Sequence, residues 1–261
     1  MTKTQRLDLE LVRRGLIGSR AEAKRAIEQG KVTVRGLPVD RPSSLVTLDD
    51  PIALAPDAAR FVSRGGEKLD SALARFTVEV AGRRWMDAGA STGGFTDRLL
   101  QGGASEVVAV DVGYGQFDWR LRNEARVTVL ERTNVRELLI EQLPWRPDGV
   151  VADLSFISLT LVVPALARVA GDSADHLLLV KPQFEVGRRL APKGVVREPS
   201  AWTQAINSVV DSASSQGLGL VDVALAEPAG PAGNREFFVH LRRDGVDDRS
   251  TIDREIARAE S

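Results

Sequence analysis

From about residue 83 onward, short apolar runs alternate with stretches long enough to be helices, and this alternation constrains the fold more than any other feature of the chain. Trp85–Ala88, Val107–Val112, Val127–Leu130, Gly149–Leu154, His176–Val180, Leu220–Leu225 and Glu236–Leu241 read as strands, with helices over about 67–76, 94–102, 158–170 and 200–216. Apolar strands separated by helices join in parallel through crossovers, so a doubly wound α/β sheet is expected. The last two strands follow each other without an intervening helix and are expected to form an antiparallel edge.

The first 60 residues follow another pattern. Leu7, Leu9, Leu11, Val12 and Leu16 suit a helix over 6–16, with Gly15 near its end. Ser19 with Glu22 three residues on has the form of a capping box, opening a second helix over 20–29 that stops at Gly30. Lys31–Gly36 alternates as a strand running into a turn. Two helices and a hairpin would make a small α+β module, and residues 51–60 either finish it or form a linker. We therefore expect a module over 1–59, a linker over 60–63 and the α/β domain over 64–261.

Charge separates the same two regions. Residues 1–36 carry nine Lys/Arg against four acids, a net +5, whereas the rest is acidic. Such a basic end either binds a polyanion or is a solvated helix surface. With no cysteine, thiolate chemistry and disulfides are excluded, and two histidines leave no histidine-rich metal site. No apolar run reaches membrane-spanning length, and the polar Met1–Gln5 lacks a secretory core. A cytoplasmic protein without membrane attachment fits these features.

The first α/β strand runs into Asp87-Ala88-Gly89-Ala90-Ser91-Thr92-Gly93-Gly94-Phe95 and then a helix. Small residues there let the backbone approach a ligand, and the helix N-terminus adds a positive dipole. Asp111 ends the next strand 22 positions after Gly89, where a carboxylate can accept bonds from both ribose hydroxyls of an adenosine. The spacing Gly-x-x-x-Gly-Gly departs from the dinucleotide fingerprint and suits a ligand without pyrophosphate, such as S-adenosylmethionine. Asp87 is a candidate for the amino-acid end of that cofactor, and Asn134 for its adenine. The fourth strand ends at Asp153 and the fifth at Lys181. These are either ordinary strand-end charges or a pair pointing into one cleft, since ligands of open α/β sheets bind beyond the carboxyl ends of the strands.

Taken with Arg6–Gly36, the segments Gly89–Phe95, Asp111-Val112-Gly113-Tyr114-Gly115-Gln116, Asp153-Leu154-Ser155-Phe156-Ile157-Ser158 and Lys181-Pro182-Gln183-Phe184-Glu185 resemble the TlyA family of ribosomal RNA 2′-O-methyltransferases, also labelled haemolysin A. The resemblance covers nearly the whole chain. It implies an S4-type RNA-binding domain ahead of an FtsJ-like, Rossmann-like class I methyltransferase domain with a mostly parallel seven-stranded sheet. It adds Val112 to the cofactor-binding residues and implies a Lys–Asp–Lys–Glu tetrad on Lys68, Asp153, Lys181 and Glu236, without a metal. Lys181 would stand nearest the 2′-oxygen, Asp153 would orient it, and Glu236 would complete the network.

The implied substrate is a cytidine ribose in ribosomal RNA, within one or both ribosomal subunits. Arg6, Arg14, Arg20, Lys24 and Arg25 become candidates for phosphate contacts. The chain departs from some members at Ala59-Arg60-Phe61-Val62, which lacks their linker tryptophan, and at Glu67, where they carry histidine. The alternative reading is a non-catalytic RNA-binding or ribosome assembly factor that keeps the fold. The intact loop and the four tetrad residue types speak against it.

Overall fold

The computed structural model describes residues 4–28, 30–54, 60–187, 189–230 and 233–260. The chain divides into two compact units, residues 1–60 and 61–261. Residues 55–59, where the first unit is expected to end, lie outside the described residues.

The first unit runs β1 (Thr4–Arg6), α1 (Leu7–Arg13), α2 (Arg20–Glu28), β2 (Val32–Val34), β3 (Leu37–Pro38), β4 (Leu45–Thr47) and β5 (Ile52–Leu54). Leu7 and Leu11, one turn apart on α1, pack against Ala23 and Ile27 of α2 and against Val32 and Val46. Leu9 and Leu16 stay outside this core at 37% and 38% exposure, and α1 stops at Arg13, short of the expected helix. The Ser19 hydroxyl accepts from the Glu22 backbone N–H at 3.3 Å, as the capping pattern requires. The expected hairpin is one edge of a three-stranded sheet, β3-β2-β5, and β1 pairs with β4 in a second small sheet.

The second unit runs α3 (Arg64–Arg75), β6 (Arg84–Ala88), α4 (Gly94–Gln101), β7 (Glu106–Val110), α5 (Trp119–Arg122), β8 (Val127–Leu130), β9 (Gly149–Ala152), α6 (Val163–Val169), β10 (Asp175–Val180), α7 (Pro182–Glu185), α8 (Pro199–Ser214), β11 (Gly219–Leu225), β12 (Phe237–Arg242) and α9 (Ser250–Glu260). Its seven strands are ordered β11-β12-β10-β9-β6-β7-β8. β12 is antiparallel to both neighbours, and the β10-β9-β6-β7-β8 ladder is parallel throughout. Alternate residues feed separate cores on the two faces: Met86, Val108 and Leu178 on one side, Trp85, Val107 and Leu177 on the other.

The chain leaves β6 toward β7 and β8, then returns to β9 on the other flank of β6. The strand order therefore reverses between β6 and β9, which is where open α/β sheets bind ligands. β7 and β9 end at Val110 and Ala152, each two residues earlier than the strands expected from the sequence, which leaves Asp111 and Asp153 as the first residues of the following loops. Phe61–Ser63, expected as linker, belong to the second unit. Phe61 is buried, the Val62 N–H donates to Asp97 Oδ2 at 2.9 Å, and Ser63 caps α3.

Candidate active site

The turn after β6 is shaped by close backbone approach. Gly89 has φ +83°, and a Cβ there would come within 2.6 Å of the Asp153 carbonyl oxygen, so only glycine lets the ends of β6 and β9 meet. Ser91 also takes a positive φ, +50°, and its N–H donates to Asp111 Oδ2 at 2.8 Å. Asp111 Oδ1 accepts from the Gly113 N–H at 2.6 Å and from Gln116 Nε2 at 3.2 Å. Asp111 is thus fixed at the wall of a cavity of about 450 Å³, with Gly89, Val112, Asn134, Asp153 and Phe156 among its lining residues. Asn134 caps the turn that follows it, accepting from the Arg136 N–H, and still borders the cavity.

A second cavity, of about 400 Å³, shares Gly89, Ser91, Asp153 and Ser155 with the first and adds Asp87, Thr92, Gly94, Phe95 and Lys181. Asp87 is fully buried. Its Oδ2 accepts from the Thr96 N–H at 2.9 Å and the Thr96 hydroxyl at 2.7 Å, while Oδ1 has no partner. Burial pushes its pKa up to about 7, against the two Thr96 bonds, with Asp153 and Asp111 adding to the rise. An orphaned buried acceptor facing a cavity suits a cationic donor, so the residues present fit the ammonium and the adenosine of S-adenosylmethionine. Among the described residues no cluster of three or more His, Cys, Asp or Glu is placed to hold a metal ion.

The four tetrad positions form two ion pairs. Lys181 Nζ lies 2.5 Å from Asp153 Oδ1 and donates to Ser155 Oγ at 3.0 Å. Lys68, in the second turn of α3, has its Nζ 2.6 Å from Glu236 Oε2, and both side chains are buried. Topology explains the placement. β9 and β10 are parallel, so Asp153 and Lys181 leave at the same edge. β12 is antiparallel with Val180 opposite Phe237, so Glu236 precedes it at that edge too. Asp153 and Lys181 line the second cavity, whereas Lys68 and Glu236 line neither.

Three residues outside the expected set contribute. Thr96 supplies both bonds to Asp87, and Ser155 bridges the cavities. Phe156 is 92% exposed with φ +65°. Ser155 and Phe156 sit within the motif that flagged Asp153, but nothing in the spacing marked them separately.

In the first unit, Arg6, Arg20 and Lys24 line a cavity of about 540 Å³, and Arg25 is exposed on α2. Arg6 and Arg20 share the buried Asp8, each at 3.0 Å, and these bonds hold its carboxyl down to about 2. Arg14 does not join that surface. Its guanidinium bonds Glu10 and the carbonyl oxygens of Thr47, Leu48 and Asp50, which makes it a tie between α1 and the loop after β4.

Comparison with known proteins agrees with this architecture. The profile described as FtsJ-like methyltransferase matches residues 61–243, and the S4 domain profile matches residues 5–52. The chain is 50% identical over 244 residues to the 16S/23S rRNA (cytidine-2′-O)-methyltransferase TlyA of Mycobacterium tuberculosis, covering 93% of this chain and 91% of that protein. It is 34% identical to Hemolysin A of Brachyspira hyodysenteriae, covering 90% and 99%. A solved structure from Streptococcus thermophilus, described as a hemolysin, superposes with a TM-score of 0.74 at 36% identity, covering 100% of this chain and 97% of the other. Among the described residues no helix is long and apolar enough to cross a membrane. With its sheet, its switch-point cavity and its matches along nearly the full length, the chain belongs to the FtsJ-like methyltransferase family, in the TlyA group that carries an S4 domain.

Proposed function

We propose that this protein methylates the 2′-oxygen of a cytidine ribose in ribosomal RNA, with S-adenosylmethionine as methyl donor. The observation that carries the reading is the Lys181–Asp153 pair, which lines a cavity continuous in its lining residues with the one walled by Asp111. The M. tuberculosis relative is named for the same reaction on 16S and 23S rRNA, and half of the residues are shared.

Asp111 would hold the ribose hydroxyls of the cofactor, Asp87 its ammonium and Asn134 its adenine, with the Gly89–Phe95 turn giving backbone access. When bound, the sulfonium supplies an electrophilic methyl group and a neutral thioether leaving group. The chain's own work is positioning. Lys181 Nζ, fixed by Asp153 and Ser155, directs an N–H to the incoming 2′-oxygen and stabilises negative charge there as the hydroxyl proton passes to the Asp153 carboxylate. The Lys68–Glu236 pair, buried beside them, fixes the edge from which Lys181 projects.

The S4 unit supplies RNA affinity through Arg6, Arg20, Lys24 and Arg25, which set register on phosphates more than sequence choice. We take the first unit, residues 1–60, as the RNA-binding domain and the second, residues 61–261, as the catalytic domain. The substrate is ribosomal RNA, free or within the ribosomal subunits, and a cytoplasmic protein fits that role. The test is tritium transfer from labelled cofactor to purified 30S subunits, 50S subunits and free ribosomal RNA. Incorporation that resists base hydrolysis beside the methylated residue supports the reading. An absence of incorporation into all three would return the chain to a binding role.

A further inference from the structure

The segment after β10 holds the segment after β9 at two points. Lys181 takes the near end, reaching Asp153 and Ser155. Glu185, at the end of α7, takes the far end: Oε2 accepts from the Ser158 hydroxyl, and Oε1 accepts from the Leu159 N–H at 2.8 Å. Between the two ties the ring of Phe184 lies 5.3 Å from that of Phe156.

What lies between the ties is strained. Phe156 holds φ +65°, a region that bulky residues avoid, and its side chain is 92% exposed, so burial of that side chain cannot enforce the conformation. Enforcement has to come from the flanking residues. Residues 154–157 form one wall of the 450 Å³ cavity, and Ser155 also borders the cavity that holds Lys181. Glu185 lines neither cavity and is half-buried. Burial raises its pKa, and the bonds from Ser158 and Leu159 oppose that rise. A carboxylate is kept in that setting although the tetrad does not use it.

We propose that Glu185 is a positioning residue for methyl transfer: through Ser158 and Leu159 it fixes the 154–157 wall, so that Ser155 meets Lys181 and the cleft keeps its shape. This role rests on the methyl-transfer reading above. The chemistry also says which replacement restores it. Glutamine keeps one carbonyl acceptor for the Leu159 N–H and offers an amide N–H to Ser158 Oγ, whose own hydroxyl can turn to Thr160 Oγ1 at 2.6 Å. Alanine keeps neither bond.

The experiment compares the full chain with Glu185→Ala, Glu185→Gln and Ser158→Ala. It measures steady-state methyl transfer to the best ribosomal substrate and the melting temperature, with rates expressed per folded protein. For Glu185→Ala, kcat is expected to fall by about tenfold or more while KM for RNA stays within about twofold, because a misplaced wall affects the reaction more than RNA capture. Glu185→Gln should recover most of kcat, and Ser158→Ala should fall in between. A purely structural contact would lower the melting temperature without changing kcat per folded protein. An active parent whose Glu185→Ala variant keeps its kcat, or loses only KM, overturns the role of Glu185 alone. A parent inactive on every ribosomal substrate overturns the activity and the role together. If Glu185→Ala does not fold, Ser158→Ala decides, and parental kcat in that variant overturns the proposal.

Discussion

Lys181 and Asp153 leave adjacent parallel strands at the same edge, and their charged groups approach to 2.5 Å where the second cavity is walled. The strand beneath Lys181 is buried throughout, so its backbone is anchored independently of the ion pair. Lys181→Ala should therefore leave folding and cofactor affinity nearly intact while lowering methyl transfer by roughly 10²–10⁴-fold. A structural ion pair behaves differently, because truncating one partner unfolds the protein and costs activity only in proportion. Initial rates on ribosomal substrate alongside thermal melts separate the two, and near-parental turnover would remove Lys181 from the chemistry.

Asp111→Ala should weaken S-adenosylmethionine binding by roughly 10- to 100-fold, the range for losing hydrogen bonds to a charged group. Part of that loss is indirect, since Asp111 also holds the N–H groups of Ser91 and Gly113 that shape the turn. Asp111→Asn keeps an oxygen for one of them and should fall between alanine and parent. Calorimetric titration checks the order, and equal affinity in all three proteins would take Asp111 out of the cofactor site.

Lys24→Glu with Arg25→Glu should reduce RNA affinity at low salt, leave cofactor affinity unchanged, and flatten the dependence of log K on log salt by about 0.7 per lost contact to single-stranded RNA. Arg20 is a less clean target than its exposure suggests, because it bonds the buried Asp8. Reversing its charge would set two acids together and mix RNA binding with the stability of the first unit. Filter binding across a salt series checks the slope.

The legible part of this molecule was whatever local pattern determines. The α/β strands, the glycine turn and the strand-end charges Asp153 and Lys181 follow from runs of a few residues. Lys68 and Glu236 pair across 168 positions, so only resemblance pointed to them. No local pattern marks Arg14 as tied to the carbonyls of Thr47, Leu48 and Asp50, because these lie more than 30 residues away. Helix α9 was missed although Ile252, Ile256 and Ala259 carry helical spacing, since its eleven residues follow the last strand without a crossover to complete. The positive φ of Phe156 has no sequence signal, because the contacts that flank it come from Lys181 and Glu185, on the segment after β10.

Two buried groups should make the pH dependence of stability informative. His176 is almost fully buried, and its ring nitrogens lack a hydrogen bond of good geometry although the carbonyls of Ala174 and Leu166 lie near. Burial takes its pKa down to about 4. The unfolded chain, with histidine near 6.5, therefore binds the extra proton first, and His176 removes stability as pH falls from about 6.5 toward 4, by ~3 kcal/mol. Asp87 has the opposite sign. Its pKa is raised from 3.8 to about 7, so its contribution is fully present below about pH 4 and is lost as pH rises through about 7, by ~4 kcal/mol. Within the shared window the two slopes oppose each other, and the parent's stability should vary little between about pH 4.5 and 6.5. His176→Phe should expose the Asp87 slope, with stability falling as pH rises, and Asp87→Asn should expose the His176 slope, with stability rising. Denaturant melts of the three proteins at several pH values check both signs. The Asp87 arm has a second readout, because an ammonium placed against Asp87 Oδ1 favours the carboxylate. Cofactor binding at about pH 6 should then release a proton, seen as a dependence of the calorimetric enthalpy on buffer ionisation enthalpy that Asp87→Asn abolishes. Equal enthalpies in phosphate and bis-Tris buffers for the parent would mean that cofactor binding takes no proton from Asp87.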